Sequence, residues 1–315
     1  MPFKTNIPSA SNPGIIVLTD SATGSFVEIY TLGALLNQYC VKHESQLVNV
    51  IDGYHSPTEA ITGIKSTFKS AKLSPFPGRL RNNSYRFGER MYTLPSNWGG
   101  HAINGLLYDQ EFAITETRND DHCAVVRLAV LYDGNCEGFP FSYKCEVEYE
   151  LQPDNMLKLT TCIYNTGDKL LPIADGWHPY FTLGGSINDY QLEFQGKQSI
   201  ILDHDLIPTG ELIPNDNFSA ITTLGNVHLD NSFVLNFAEC QPMCVIRNPK
   251  NRLAVEIRPS RSYPYLHVYT PPHRQSIAIE NLSAAPNTFN NGIGLRVLEP
   301  GQSGCFTTTF VTKTY

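Results

Sequence analysis

The stretch "FSYKCEVEYEL", residues 141–151, decides the fold class of this chain. Its aromatic, thiol and aliphatic residues occupy every second position, and Ser, Lys and three Glu fill the positions between them. Successive side chains of a β-strand point to opposite faces of a sheet, so this stretch predicts a strand with one buried and one solvated face. Strands of that kind are typical of antiparallel sheets.

Similar runs lie on both sides of this strand. "CAVVRLAVLYDGN" at 123–135 precedes it, and "MLKLTTCIYNTG" at 156–167 follows after the turn sequence "QPDN". Their short spacing predicts a meander of antiparallel strands. Comparable runs recur along the chain, as in "SFVEIYTLGALLNQYCV", "RLAVEI", "YLHVYT" and "GCFTTTFVTKTY", whereas helical periodicity is nearly absent. The sequence therefore predicts an all-β protein.

Nothing in the sequence divides the chain. We find no Ser/Gly tract, charge block, shift in composition or fixed-period repeat, so we expect a single domain over residues 1–315. The composition, with 41% hydrophobic and 17% charged residues, is that of a globular protein. Two large packed sheets, or one very broad sandwich, would bury the alternating faces.

Composition also limits the partners. A formal net charge of -7 offers no basic stripe for phosphates, so we expect no nucleic-acid partner. No run approaches the ~20 apolar residues of a membrane span, and we see no secretory signal, so we expect a cytoplasmic protein without membrane contact. The eight cysteines are then expected to be reduced core thiols rather than a disulfide framework.

The sequence indicates neither a metal site nor a cofactor. Cys240 and Cys244 lack a second close pair of ligands, and adjacent strand residues such as those of "DDHC" at 120–123 do not converge on one ion. A phosphate-binding glycine loop is also missing.

Four stretches combine unusual polar residues with aromatic residues, Gly or Pro. They are "PFPGRLRNNSYRFGERMYTLPSNWGGHAINGLLYDQEF" at 75–112, "PIADGWHPYFTLGG" at 172–185, "LIPTGELIP" with "LDNSFVL" at 206–235, and "YTPPHRQSIAIENLSAAPNTFNNG" at 269–292. Taken in this order they resemble the aldose 1-epimerase, or galactose mutarotase-like, family over nearly the whole chain. The resemblance implies a β-supersandwich fold and interconversion of the α and β anomers of a free aldose.

Roles follow from this resemblance motif by motif. Glu280 matches the general base that takes the proton of the anomeric hydroxyl, and His178 matches the general acid that protonates the ring oxygen. Arg79 and Asp230 match residues that hold the sugar hydroxyls. The residue types suit these roles, because an unperturbed imidazole titrates near ~6.5 and a glutamate near ~4.3. We expect Trp177 to pack or stack beside the sugar, because a flat aromatic face can lie against its C–H groups.

One motif departs from the family pattern. The family's second histidine, which contacts the sugar, falls on Asn104, and the family's asparagine falls on His101. An amide still donates and accepts hydrogen bonds but carries no proton at neutral pH. We therefore expect altered specificity, with Asn104 and His101 as candidate sugar contacts and activity retained through His178 and Glu280.

Two other functions stay open at this point. The chain could be a sugar-binding or regulatory module that lost turnover through Asn104, or a glycoside hydrolase using Asp230 and Glu280 as a carboxylate pair roughly 5 to 9.5 Å apart. In each case the expected partner is a monosaccharide, free or phosphorylated, and the expected assembly is a monomer or homodimer.

Overall fold

A computed structural model describes residues 1–7 and 14–315. The first half contains β1 (Phe3–Asn6), β2 (Ile15–Asp20), β3 (Phe26–Tyr30), β4 (Leu35–His43), β5 (Gln46–Asn49), α1 (Pro57–Thr67), β6 (Lys72–Leu73), β7 (Arg79–Leu80), β8 (Ser84–Phe87), β9 (Arg90–Thr93), β10 (Ala102–Ile103), β11 (Ala113–Asn119), β12 (Ala124–Tyr132) and β13 (Tyr143–Gln152). The second half contains β14 (Met156–Asn165), β15 (Leu171–Ile173), β16 (Gly176–Trp177), β17 (Tyr180–Phe181), β18 (Gln191–Phe194), β19 (Gly196–Leu202), β20 (Pro208–Pro214), β21 (Thr222–Thr223), β22 (Asp230–Leu235), β23 (Cys244–Asn248), β24 (Leu253–Pro259), β25 (Tyr265–Tyr269), β26 (Ile277–Leu282), α2 (Thr288–Asn291), β27 (Arg296–Leu298) and β28 (Ser303–Thr314).

Most strands belong to three antiparallel sheets. The first contains β1 to β5 in sequence order. A nine-stranded sheet has the order β11-β12-β13-β14-β28-β24-β23-β18-β21, and an eight-stranded sheet contains β20-β19-β22-β25-β26-β16-β6, with β17 also paired to β26. The predicted all-β fold with large antiparallel sheets is confirmed.

The stretch that decided the fold class forms β13. Every second residue from Tyr143 to Leu151 has no exposed surface, while the residues that alternate with them are partly exposed. β13 pairs along its whole length with β14, and β12 pairs on its other edge. The predicted strand and the predicted meander are both confirmed.

Aromatic side chains join the two larger sheets. Phe181 of β17 packs edge-on against Phe310 of β28, with ring centroids 5.2 Å apart. Trp177 of β16 packs on Tyr149 of β13 in the same manner at 5.9 Å. Core aromatic side chains therefore hold β16 and β17 in place, and the candidate acid His178 lies between these two strands.

Helix α1 was not predicted. Ser56 caps it by accepting the Glu59 N–H at 3.2 Å, the Glu59 carboxylate accepts the His55 N–H at 2.7 Å, and a proline opens the first turn. These are known helix-start signals, present here without a long apolar stripe. The helix ends at Phe68, whose left-handed conformation (φ 51°) turns the chain toward the candidate site. Neither helix in the described part of the chain is long and apolar enough to cross a membrane.

The cysteine prediction was wrong for one pair. Cys162 of β14 lies directly opposite Cys305 of β28, and the two form a disulfide across 143 residues of sequence. The other six cysteines are free thiols, four of them buried. Their spacing in the sequence did not indicate the pair, because only the order of strands in the sheet makes β14 and β28 neighbours.

Candidate active site

A cavity of about 310 Å³ lies against strands β22, β25 and β26. Segments far apart in the sequence contribute its polar groups, which include Arg79, Asn104, His178, Asp230, His267 and Glu280. Apolar side chains form much of the remaining wall, among them Phe68, Trp98, Ile103, Leu206 and Leu282. Five of the seven sequence-predicted site residues thus come together, and His101 and Trp177 do not line this cavity.

A break in the sheet presents His178 to Glu280. His178 and Pro179 lie between β16 and β17, which both pair with β26. Pro179 has no N–H to give a ladder and also keeps His178 extended, while its carbonyl accepts the Ile279 N–H at 3.2 Å. Nε2 of His178 reaches 3.3 Å from Oε1 of Glu280. The two candidate catalytic groups are therefore direct neighbours, with only 8% and 4% of their surfaces exposed.

The surroundings of His178 favour its neutral form. Burial lowers the pKa of this imidazole, and the negative charge of Glu280 only partly offsets the effect. Nδ1 is buried and has no hydrogen-bond partner among the residues that the structure describes. A second ring proton there would lack an acceptor, so the neutral ring carries its proton on Nε2, facing Glu280. The Tyr180 ring stacks nearly parallel on the His178 ring, with centroids 4.9 Å apart.

Asp175 anchors the segment that carries His178. The Ser283 N–H donates to the Asp175 carbonyl, and the Asp175 N–H donates to Ser283 Oγ, both at 2.8 Å. This double contact ties the chain before His178 to the chain after Glu280. The Asp175 carboxylate pairs with Lys72 at 2.6 Å and accepts a hydrogen bond from the Tyr263 hydroxyl, all within the core. Asp175 is therefore a structural anchor and not a partner of the imidazole.

Trp177 differs from its prediction as a sugar contact. Its side chain is only 2% exposed, and Lys72 Nζ lies 4.2 Å from the ring centroid on the core side. The reason is strand geometry, because neighbouring residues of an extended chain point to opposite faces and His178 takes the cavity face. Trp98 lines the cavity instead, with 40% of its surface exposed.

A second imidazole, which the sequence analysis did not single out, also faces the cavity. Nε2 of His267 lies 2.9 Å from Asp230 Oδ1, and Nδ1 lies 2.7 Å from Ser232 Oγ. β25 lies between β22 and β26, so His267 is the cross-strand neighbour of Ser232 on one side and of Glu280 on the other. Alternation in "YLHVYT" placed His267 in a strand, but the sequence did not show which strands flank it.

The charges around His267 and Asp230 support each other. Burial alone would lower the pKa of His267, but the carboxylates of Glu280 and Asp230 outweigh it and raise that pKa above its usual value. Burial would raise the pKa of Asp230, yet the His267 hydrogen bond and the charges of His267 and Arg79 lower it. Asp230 is therefore an ionised acceptor, and His267 is the more readily protonated of the two imidazoles.

Arg79 and Asn104 complete the polar wall. Arg79 of β7 lies opposite Ile103 of β10, directly before Asn104. Asn104 has a left-handed backbone (φ 61°), its N–H donates to the Gly78 carbonyl at 3.0 Å, and its Oδ1 accepts the Gly78 N–H at 2.9 Å. The side-chain oxygen is thus engaged, and the amide presents its N–H donors to a ligand. Arg79 likewise offers donors alone.

His101 also differs from its prediction. Its Nδ1 accepts the Asn82 N–H at 3.1 Å, and its backbone closes a short turn with Trp98. The ring therefore holds two loops together outside the cavity lining. The Gly99 and Gly100 turn (φ 54° and 86°) lies directly before His101 and does not bring its ring into the cavity lining.

One group of potential metal ligands lies near the site. Donor atoms of Asp203, His204 and Asp205 fall within 4.8 Å of one another. The Arg81 guanidinium pairs with both aspartates, so the positive charge of this side chain already partly balances the acidic cluster. Of the two cysteines considered from the sequence, Cys240 is exposed and Cys244 is buried, so they do not share a site.

Comparisons with known proteins give the relatives of this chain. The sequence model described as aldose 1-epimerase matches residues 15–310. The uncharacterized protein YihR of Escherichia coli K12 is 28% identical over 236 residues, which cover 73% of this chain and 74% of that protein. The aldose 1-epimerase of Streptococcus thermophilus is 23% identical over 261 residues, which cover 77% of this chain and 74% of that enzyme.

The fold has close counterparts among solved structures. A galactose mutarotase-like protein from Clostridium acetobutylicum superposes with a TM-score of 0.86 at 17% sequence identity. The superposition covers 99% of this chain and 98% of the other. At this identity the likeness establishes the galactose mutarotase-like fold that the sequence resemblance implied.

Proposed function

Because this chain belongs to the aldose 1-epimerase family, we propose that it interconverts the α and β anomers of a free aldose by acid and base catalysed ring opening. The observation that carries the proposal is the 3.3 Å approach of His178 Nε2 to Glu280 Oε1 within a cavity lined by hydroxyl-binding groups. The anomeric hydroxyl oxygen and the ring oxygen of an aldose are bonded to the same carbon. A base for one and an acid for the other must therefore be close neighbours.

Glu280 accepts the proton of the anomeric hydroxyl while protonated His178 donates a proton to the ring oxygen. The bond between the anomeric carbon and the ring oxygen breaks, and the open aldehyde forms. Rotation about the first carbon–carbon bond and reclosure with the two proton transfers reversed give the other anomer. Each positioned acid or base typically contributes ~10²–10⁴-fold to such a reaction. Arg79, Asn104 and the ionised Asp230 hold the remaining hydroxyls.

The balance of formal charges favours an uncharged sugar over a sugar phosphate. Arg79 and the readily protonated His267 face the carboxylates of Asp230 and Glu280. Lys69, at the cavity wall, is already paired with Asp52 at 2.7 Å. The formal charges of these groups cancel, so the cavity offers a phosphate no net positive charge.

Two observations bear on the alternatives. A glycoside hydrolase needs one carboxylic acid that keeps its proton, whereas the pKa of Asp230 is lowered and its Oδ1 is held by His267. A silent sugar-binding module that lost turnover through Asn104 has less support, because the candidate acid and base are both present and adjacent. The cytoplasmic location and the monomer or homodimer state stay predictions.

Polarimetry on freshly dissolved α-glucose and α-galactose, with NMR for other aldoses and a 6-phosphate, tests the proposal. We expect faster approach to anomeric equilibrium than the spontaneous rate for at least one uncharged aldose. Saturable binding without acceleration for any sugar would instead identify a binding module.

A further inference from the structure

Two imidazoles flank Glu280, and their surroundings are opposite. His178 has one ring nitrogen beside Glu280 and the other buried without a partner among the described residues. His267 has both ring nitrogens bonded, one to the Asp230 carboxylate and one to the Ser232 hydroxyl. A doubly protonated ring has an acceptor for each N–H at His267, whereas at His178 the Nδ1 proton would lack one, so the cation is favoured at His267 and disfavoured at His178.

We propose that His267 is an electrostatic positioning residue, a cationic imidazole that Ser232 and Asp230 hold beside the His178–Glu280 pair and that tunes proton transfer in this pair. The inference rests on the proposed function and adds to it a residue outside the acid and the base. It also accounts for a second imidazole in a cavity where Asn104 stands in place of the family's second histidine.

Sheet register places the charge. His267 lies directly opposite Glu280 on the adjacent strand. Side chains of such directly paired residues are close enough to interact. A positive charge at this position disfavours a second proton on His178. In agreement, the charge of His267 contributes to the lowered pKa of His178.

The other charged groups around the two imidazoles are accounted for. Asp230 raises the pKa of both rings, and Arg79 lowers that of His267. Lys69 also lines the cavity but is paired with Asp52. Tyr180 and Tyr269 have raised pKa values because of burial, so they are neutral phenols near pH 7.

Asp230, His267 and Ser232 are hydrogen-bonded in the same sequence as the carboxylate, imidazole and hydroxyl of a nucleophilic triad. Here, however, the carboxylate and not the hydroxyl lies at the cavity. Ser232 has no exposed surface and does not line the cavity, whereas Asp230 does. The hydroxyl therefore serves as a hydrogen-bond partner that fixes the ring. This arrangement supports a held charge and excludes a covalent intermediate on Ser232.

His267→Gln is the informative variant, because the amide can still bond to Asp230 and Ser232 but carries no charge. The measurement is an NMR titration of the histidine ring resonances of the full-length protein without sugar. We expect the His178 midpoint to move to higher pH in the variant, since a neighbouring positive charge has been removed. An unchanged midpoint, or one moved to lower pH, would overturn the proposal.

His273→Gln is the matched control. His273 also lines the cavity, but it lies outside strands β25 and β26, and its Nδ1 accepts the Gln275 N–H at 3.1 Å. Its replacement takes an imidazole out of the cavity while leaving the contacts among His178, Glu280 and His267 intact, and the His178 midpoint is expected to stay in place. A shift as large as that of His267→Gln would overturn the specific role of His267.

The wild-type protein gives a second test if His267→Gln does not fold. Coupled groups sense each other's titration, so the His178 resonance should show a second inflection at the midpoint of His267. A single inflection would contradict the proposal. These titrations need no turnover, so failure of the inference is distinguishable from absence of anomer exchange, which would reject the proposed function itself.

Discussion

Lys72 Nζ lies 2.6 Å from Asp175 Oδ1, and both side chains are completely buried. This ion pair lies next to the two hydrogen bonds between Asp175 and Ser283, which join the segment of the candidate acid to the strand of the candidate base. Removing one partner of such a pair leaves an uncompensated charge in the core, whereas removing both does not.

We therefore expect Lys72→Met to lower the free energy of unfolding by about 3–5 kcal/mol, as measured by urea denaturation. The double variant Lys72→Met, Asp175→Asn should recover part of that loss, because no buried charge is left unpaired. Equal losses in the single and double variants would contradict an electrostatic origin.

Loss of the base or of the acid should abolish most of the proposed catalysis. Glu280→Gln and His178→Gln each keep the size and polarity of the side chain, and each is expected to lower kcat/KM ~10²–10⁴-fold in the polarimetric assay. Exposed Glu239→Gln is a matched control and should retain the wild-type rate. A variant at Glu280 with more than a tenth of the wild-type rate would exclude it as the general base.

The pH dependence of kcat/KM should follow His178. Because burial lowers the pKa of this imidazole below 6.5, the protonated acid form is scarce at neutral pH and becomes more abundant as the pH falls. We expect kcat/KM to rise as the pH is lowered from 8 toward 6 and to fall again at lower pH, when carboxylates take up protons. A rate that increases steadily from pH 6 to pH 9 would show that His178 acts in its neutral form.

Asn104 bonds to Gly78 through its side-chain oxygen, and we propose that its amide N–H groups hold the sugar. Asn104→Ala leaves the Gly78 N–H without its acceptor and should lower the free energy of unfolding by about 1–3 kcal/mol. Asn104→Asp keeps that acceptor and tolerates the left-handed backbone, but lacks the amide donors. We expect stability close to wild type and KM raised up to about tenfold in Asn104→Asp, since one neutral hydrogen bond contributes roughly 0.5–1.5 kcal/mol. An unchanged KM would remove Asn104 from the sugar site.

The disulfide should stabilise the fold under oxidising conditions. Cys162 and Cys305 close a loop of 143 residues, and removing a disulfide that closes a long loop typically costs about 2–5 kcal/mol. Thermal unfolding with and without reductant measures this effect, and the double variant Cys162→Ser, Cys305→Ser should be insensitive to reductant. The bond lies outside the residues that line the cavity, so anomer exchange is expected to persist after reduction.

Local patterns in the sequence predicted what depends on one strand at a time. Each face of β13 follows from its own alternation, and the extended conformation of His178 follows from Pro179. Pairings between remote strands left no such trace. His267 faces Glu280, and Cys162 faces Cys305, only because of the order of the strands in the sheets.

The family resemblance indicated Arg79, Asn104 and Asp230 as site residues, and all three line the cavity. His101, also indicated as a candidate contact, bonds to Asn82 instead and does not line the cavity. Helix α1 escaped notice because its signal is a cap and a proline, not a long periodic stripe.

The position of β28 in the nine-stranded sheet has a consequence for biosynthesis. Residues 303–314 pair with β14 on one side and with β24 on the other. On the ribosome, β14 can pair with β13 as soon as it emerges, but its other edge waits for β28. That edge stays unpaired while the segments that carry His178 and Glu280 are translated. The nascent chain exposes a template for aggregation throughout this interval. Chaperone protection, or rapid completion of translation, thus matters more for this chain than for a protein whose strands pair in the order in which they are made.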